Sequence, residues 1–219
     1  MAKGSPELKA ARRDEIMSAC LTLYQTKSFR DISMGDIADF TSFSRPSIYN
    51  YFETKEEIFL ALFQREYERW TAELEEMIAG NERMDAPAFA DAVARTVEKR
   101  TLLLKLLSMN MYDMEEHSRM ERLTEFKAAY GASMDTIEKG LEKFFPASTV
   151  EKRKEFIWHF FPFMFGIYPY TFVTDKQKEA MEKAGTRILR QGVYELTRGM
   201  IEELLKNAGE YRRIKRRNT

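Results

Sequence analysis

The sequence predicts an all-α fold, with a small three-helix head followed by a larger helical bundle, and three observations predict it. Only ten glycines and six prolines occur in 219 residues, while Leu, Glu, Lys, Ala, Met and Arg are abundant, a composition that favours helix along the whole chain. Apolar residues recur three and four positions apart over long stretches, the spacing of one helical face. No run of alternating β-branched residues lies between turn signals, so no strand is expected.

The elements follow in order. A first helix runs from about Pro6 to Thr26, where Pro6 suits an opening turn and Ile16, Ala19, Cys20, Leu23 and Tyr24 share a face. Ser33 opens a second helix with a capping box closed by Asp36. Thr41-Ser42-Phe43 is a turn, Ser44 caps a third helix, and Pro46 sits in its first turn, where a missing N–H does no harm. Thr54 caps a fourth helix, backed by Glu56 and Glu57 at its positive end. That helix carries Ile58, Phe59, Leu62, Phe63, Tyr67 and Trp70 and reaches about Ala79.

Gly80-Asn81 then gives a loop, and Asp85-Ala86-Pro87 starts a helical run to about Met114, with a candidate break at 99–101. A further helix spans about Ser118 to Phe145, with Met120, Leu123, Tyr130, Met134, Ile137 and Leu141 as its buried stripe. Pro146-Ala147-Ser148 separates it from an aromatic helix, about Thr149 to Thr171, which Pro162 is placed to kink. Thr174-Asp175 caps the next segment, and Gly185-Thr186 divides it from a last helix ending near Lys206. The domains read as 1–53, a head; 54–208, a helical body; and 209–219, a basic tail holding the run Arg212 to Arg217, most simply a solvated end.

Charge and composition narrow the function. Net charge is zero, and the first sixty residues carry eight basic and nine acidic side chains, so any nucleic-acid binding rests on a few well-placed contacts. The single cysteine, Cys20, cannot form an internal disulfide and reads as a small core residue. The first fifteen residues lack the apolar core of a secretory signal, and the most apolar segment, 156–173, holds His159, Pro162 and Pro169. A cytoplasmic protein without a membrane partner is expected. No nucleophile with a base, no metal-spaced His/Cys set and no glycine-rich phosphate loop is present, so neither an enzyme nor a cofactor is expected.

Two short helices joined by a tight turn and followed by a long helix are the layout that carries one helix into the major groove of DNA. Arg45, Pro46, Ser47, Tyr49 and Asn50 lie at the start and outer face of the third helix, the part of such a helix that reads base edges. Arg45 suits a guanine, Asn50 an adenine, and Ser47 either a base or a phosphate. Asp36-Ile37-Ala38, Ser44, Ile48-Tyr49-Asn50-Tyr51-Phe52 and Lys55-Glu56-Glu57-Ile58, with the lead-in Phe29-Arg30-Asp31-Ile32-Ser33, resemble the tetracycline-repressor (TetR) family of regulators. The resemblance fades past about residue 70. It implies that Tyr49 and Lys55 contact phosphates, with Ser33 and Ser44 assisting at helix N-termini. The sequence departs from the family at Ser42, where a glycine is usual; a side chain held there at positive φ costs about 1 kcal/mol. It departs again at Gly35, where a polar or basic residue is common.

In the family the body is a helical box for a ligand, and the resemblance implies the same here. Met109, Tyr112, His117, Phe126 and Tyr130, with Trp158, Phe161 and Phe165 of the aromatic helix, are the candidate walls for a small apolar or aromatic effector. His117 and His159 lack the partner spacing of a metal site, so no metal is expected. For a homodimer interface the candidates are Phe160 and Met164 of the aromatic helix with Leu189, Gly192, Val193, Leu196, Gly199 and Met200 of the last. Each helical glycine costs about 1 kcal/mol against alanine, which points to a packing role. The expected function is a repressor that binds palindromic double-stranded DNA as a homodimer and is released by the effector. The alternative is a helical carrier or sensor of apolar ligands with a vestigial DNA head.

Overall fold

A computed structural model describes residues 5–109, 111–187 and 191–215, with side chains described as far as residue 206, and everything regular in it is helical. The elements are α1 (Pro6–Thr26), a 3-10 turn (Phe29–Asp31), α2 (Met34–Asp39), α3 (Arg45–Ile48), α4 (Lys55–Ala79) and α5 (Ala86–Glu98). They continue as α6 (Thr101–Leu107), α7 (Met111–Glu116), α8 (Met120–Phe144), α9 (Val150–Thr171), α10 (Asp175–Lys183) and α11 (Val193–Lys215). By contacts the chain divides into Met1–Arg65 with Asn110–Tyr130, and Glu66–Met109 with Gly131–Thr219. The division falls inside α4 and α8, whereas the sequence reading drew it at the start of α4.

The first unit is built around α1, whose Ile16, Cys20, Leu23 and Tyr24 are buried with Ile32, Ile37, Ile48 and Phe52. From α4 it takes Ile58, Phe59, Leu62 and Phe63, each without exposed surface. Every such side chain contributes about 1.5–3 kcal/mol relative to exposure. Phe59 receives the edges of Tyr24 and Phe29 at 5.0 and 4.9 Å, and Phe63 meets Phe126 at 5.4 Å. Cys20 has no exposed surface, and burial pushes its thiol up to about 12, which leaves it inert.

The second unit has an aromatic core of Tyr67, Trp70, Phe89, Phe160 and Phe161. Trp70 meets Phe161 at 5.8 Å, and its indole N–H donates to Thr96 Oγ1 at 2.9 Å, which satisfies a fully buried polar group. The α11 helix packs on α5 and α9. The end of α10 is a Schellman turn: Thr186 N–H donates to Met181 O and Gly185 N–H to Glu182 O, with Gly185 at φ 64.

Several expectations change. The run after Asp85 breaks at 99–100, where a break was expected, and again between α6 and α7. Met120 is 74% exposed, and Leu123, Tyr130 and Met134 are half-buried. The buried face of α8 is instead Phe126, Ala129, Ser133, Thr136, Ile137 and Leu141. Small residues at helical spacing allow close approach of a neighbour, and an apolar-only reading misses them. The helix α9 continues through Pro162 and Pro169, and α11 runs on to Lys215 instead of stopping near Lys206.

Candidate nucleic-acid interface

The head presents its second and third helices on a turn that two polar clusters hold. At α2 the capping box forms as the sequence predicts: Asp36 N–H donates to Ser33 Oγ at 3.1 Å and Ser33 N–H to Asp36 Oδ2 at 2.9 Å. Lys27 Nζ donates to Asp36 Oδ1 at 2.7 Å. That bond, with those from Ser33, holds the Asp36 carboxyl well below the usual carboxylate range. The turn is fastened to α1, because Ser42 donates its N–H and, at 3.1 Å, its hydroxyl to the Glu15 carboxylate. No described residue other than glycine has positive φ, so Ser42 carries none of the strain expected of it.

Around the buried Ile48, the outer surface of α3 and the following turn exposes Ser44, Arg45, Pro46, Tyr49 and Asn50, with Ser47 half-buried. Arg45 Nη2 donates to Tyr49 Oη at 3.2 Å, one helical turn on, so the two move as a unit. Ser44 stands at the N-cap of α3 but makes no capping bond. Its hydroxyl lies 3.2 Å from that of Ser47; Pro46 has no N–H and Ser47 N–H donates to Ser44 O at 2.8 Å, so Arg45 N–H is the group of this first turn left for an acceptor from outside. Six of the eight residues expected to touch DNA, from Ser44 to Asn50, therefore share one outer surface. Ser33 is committed to its capping box.

Lys55 differs most from its expected role. Its ammonium donates to Phe29 O and Ile32 O, each at 2.9 Å, and lies 4.4 Å above the Phe29 ring. It ties the 3-10 turn to the start of α4, and only its remaining donor is left for a phosphate. Sequence reasoning also missed a residue. Arg119, just before α8, bonds Glu57 and pairs with Glu53 at 3.2 Å, and nothing in its local sequence signals this.

The candidate effector walls are divided between the two units. Tyr112, His117, Phe126 and Tyr130 fall in the first unit, and Met109, Trp158, Phe161 and Phe165 in the second. Phe126 and Phe161 are core, 3% and 1% exposed, while Tyr112 and Trp158 are 84% and 68% exposed. His117 and His159 are exposed, and each donates Nδ1–H to the carbonyl four residues earlier, Asp113 O at 2.7 Å and Glu155 O at 2.6 Å. Among the described residues no group of three or more His, Cys, Asp or Glu is placed to hold a metal. The second unit does hold an apolar cleft of about 200 Å³, in which Leu141, Phe145, Phe156, Leu204 and Leu205 form the walls.

The candidate interface residues are also rearranged. Phe160 and Met164 have almost no exposed surface in the single chain and cannot meet a partner. The outward stripe of α9 is Trp158, Pro162, Phe165, Pro169 and Phe172, at spacings of four and three. On α11, Val193 is buried, Leu196 and Met200 are half-buried and Gly199 is exposed. Gly192 precedes the helix, with its N–H on Glu195 Oε2 at 3.0 Å, so the helical-glycine argument applies to Gly199 alone. Leu189 lies outside the described residues, as do the side chains of the basic tail. No helix among the described residues is long and apolar enough to cross a membrane.

Two family models match the chain: "Bacterial regulatory proteins, tetR family" over residues 16–62, and "Tetracyclin repressor-like, C-terminal domain" over 64–206. No curated protein matches the sequence. Similar solved structures include a protein of unknown function from Rhodococcus sp. RHA1, with TM-score 0.61 and 18% identity, covering 94% of this chain and 96% of that one. A TetR/AcrR-family regulator from Thermobifida fusca YX-ER1 has TM-score 0.59 and 17% identity, with 89% and 97% covered. The regulator FadR from Bacillus subtilis, in complex with stearoyl-CoA, has TM-score 0.58 and 15% identity, with 87% and 96% covered. At these identities the likeness is one of fold.

Proposed function

This chain belongs to the TetR family of transcriptional regulators, and from that premise we propose that it is a repressor, which binds a palindromic operator as a homodimer and leaves it when a small, mostly apolar effector occupies the body. The carrying observation is the outer surface of α3 and the turn after it, where Arg45, Tyr49 and Asn50 stand exposed around a buried Ile48 and Ser44 makes no capping bond. Arg45 and Asn50 read bases, while Tyr49 takes a phosphate. With a charge-balanced head, these few contacts supply most of the affinity, which falls steeply with added salt. Arg45→Ala and Tyr49→Ala should abolish the footprint on the operator and leave the helical circular-dichroism signal intact. Retained footprints would remove α3 from the interface.

The dimer reading is supported by the outward apolar stripe of α9 from Trp158 to Phe172, together with Leu196, Gly199 and Met200 on α11. At Gly199 an added Cβ meets nothing within 4 Å, leaving room for a partner helix. Paired across a two-fold axis, two recognition helices enter successive major grooves about 34–36 Å apart. Leu196→Glu should give monomers in sedimentation; an unchanged dimer would exclude this face. The apolar cleft of the second unit supports an apolar effector. Such a ligand shifts DNA occupancy only so far as it binds the released state more tightly.

A further inference from the structure

We infer that the cleft at the α8–α9 turn binds a small apolar monocarboxylate of about six to eight carbons, a size judged from the roughly 150 Å³ apolar cavity that takes up benzene. This deepens the effector reading above and rests on it. Four elements of the second unit build the cleft: the first residue of α5 (Ala86), the end of α8 and its turn (Leu141, Phe145, Ala147), the second turn of α9 (Phe156) and the middle of α11 (Leu204, Leu205). Its volume of about 200 Å³ lies below the roughly 300–1,000 Å³ of drug-sized sites. A single ring or a short chain fits.

The polar part of the lining lies at one place and carries one sign. Among the described residues, Ser148, Lys152 and Arg153 are the polar lining residues, and no acidic side chain lines the cleft. Arg153 is held by its Nη1, which donates to Ser148 O at 2.9 Å, and its side chain is only 11% exposed. Glu138 and Glu142 lie 3.8 and 3.6 Å from its nitrogens, beyond good hydrogen-bond length, and neither lines the cleft. Its Nε–H is buried and has no acceptor among the described residues. A buried guanidinium donor without an acceptor is costly, and a carboxylate from the cleft satisfies it. The opening turn of α9 adds the positive end of a 22-residue helix, whose Lys152 N–H is already taken by Thr149 Oγ1. A carboxylate therefore settles at Arg153 and Lys152 with its apolar body between Leu141, Phe156 and Leu204.

The test is calorimetric titration of the full-length protein, without DNA, with hexanoate and benzoate at fixed ionic strength. Acetate, which has the charge without the body, and hexanol, which has the body without the charge, are the comparisons. Saturable one-to-one binding of hexanoate or benzoate is expected, with acetate and hexanol at least about tenfold weaker. Ala147→Trp, at an exposed position of the turn, should fill the cleft and abolish binding, and Arg153→Gln should weaken it about tenfold. Absence of saturable heat, acetate binding as well as hexanoate, or binding retained in folded Ala147→Trp would each overturn the inference. Because no DNA is present, these outcomes are separate from those of the footprint.

Discussion

Arg119 holds Glu57 through three donors: its own N–H at 3.1 Å, Nε at 2.6 Å and Nη2 at 2.8 Å. Glu57 has no exposed surface, and its second oxygen also accepts Glu53 N–H at 2.8 Å. Beside this pair, Thr54 both caps α4, accepting Glu57 N–H at 3.2 Å, and donates its hydroxyl to His117 O at 3.0 Å. The segment before α8 is thus fastened to the first turn of α4, directly after the recognition element.

Arg119→Met removes the two guanidinium bonds, keeps the backbone one and leaves a buried carboxylate, at an expected cost of about 2–4 kcal/mol, reduced from the fully buried case because Arg119 is 38% exposed. Urea denaturation measures it. A loss below about 1 kcal/mol would mean that water replaces the arginine.

Acid should loosen the head. Burial alone raises the Glu57 carboxyl, but the bonds from Arg119 and Glu53 outweigh it and bring it below its ordinary value. Asp36 is lowered as well, by Lys27 first and then Ser33. Carboxyls depressed in the folded state stabilise it above their unfolded pKa, and that contribution is lost as pH falls through the folded value. Urea midpoints should be flat near neutrality and fall below about pH 4, with a shallower acid limb in Glu57→Gln.

Lys55→Met separates structural from DNA-contacting cations. It removes two bonds to Phe29 O and Ile32 O and should lower stability by about 1–2 kcal/mol. The exposed Arg45→Ala should change stability by no more than about 0.5 kcal/mol while abolishing the footprint. Thermal melts run beside the footprints test this, and an unchanged melt for Lys55→Met would deny the tie.

Gly35→Ala should stabilise the head by about 0.5–1 kcal/mol, since a helical glycine is entropically costly. The new Cβ lies 3.5 Å from Ser33 Oγ, an ordinary contact. Thermal denaturation shows the gain, and a lower melting temperature would reveal a clash.

Thr96→Val keeps the shape but leaves the Trp70 indole N–H without its acceptor at 2.9 Å, an expected loss of about 1–3 kcal/mol. Urea denaturation followed by tryptophan fluorescence reads it directly, and an unchanged midpoint would show that the indole finds another acceptor.

The head was legible because its signals are local. Ser33 with Asp36, Pro46 after Ser44, and the buried spacing of Ile37, Ile48 and Phe52 each lie within a few residues of their partners. Helix starts at Thr54, Asp85, Thr149 and Thr174 were readable for the same reason. The body was legible only as helices. On α9 the sequence reading sent Phe160 and Met164 outward and Trp158 and Phe165 into a pocket, and the structure exchanges them. An aromatic-rich helix looks apolar on every side, so periodicity does not choose its phase.

The sequence by itself determined the helical class, the caps and turns, and the exposed surface from Ser44 to Asn50 around a buried Ile48, because a backbone cap or a short apolar period is satisfied by neighbours in the chain. Tertiary structure decided the rest. It turned Lys55 into an internal tie, joined Arg119 to Glu57 sixty-two positions away, and set four elements around an apolar cleft with an unsatisfied Arg153 donor. Those partners are distant in the chain, and a charge or an aromatic ring carries no mark of which distant group will meet it. Only the packing of α4, α8, α9 and α11 makes that choice.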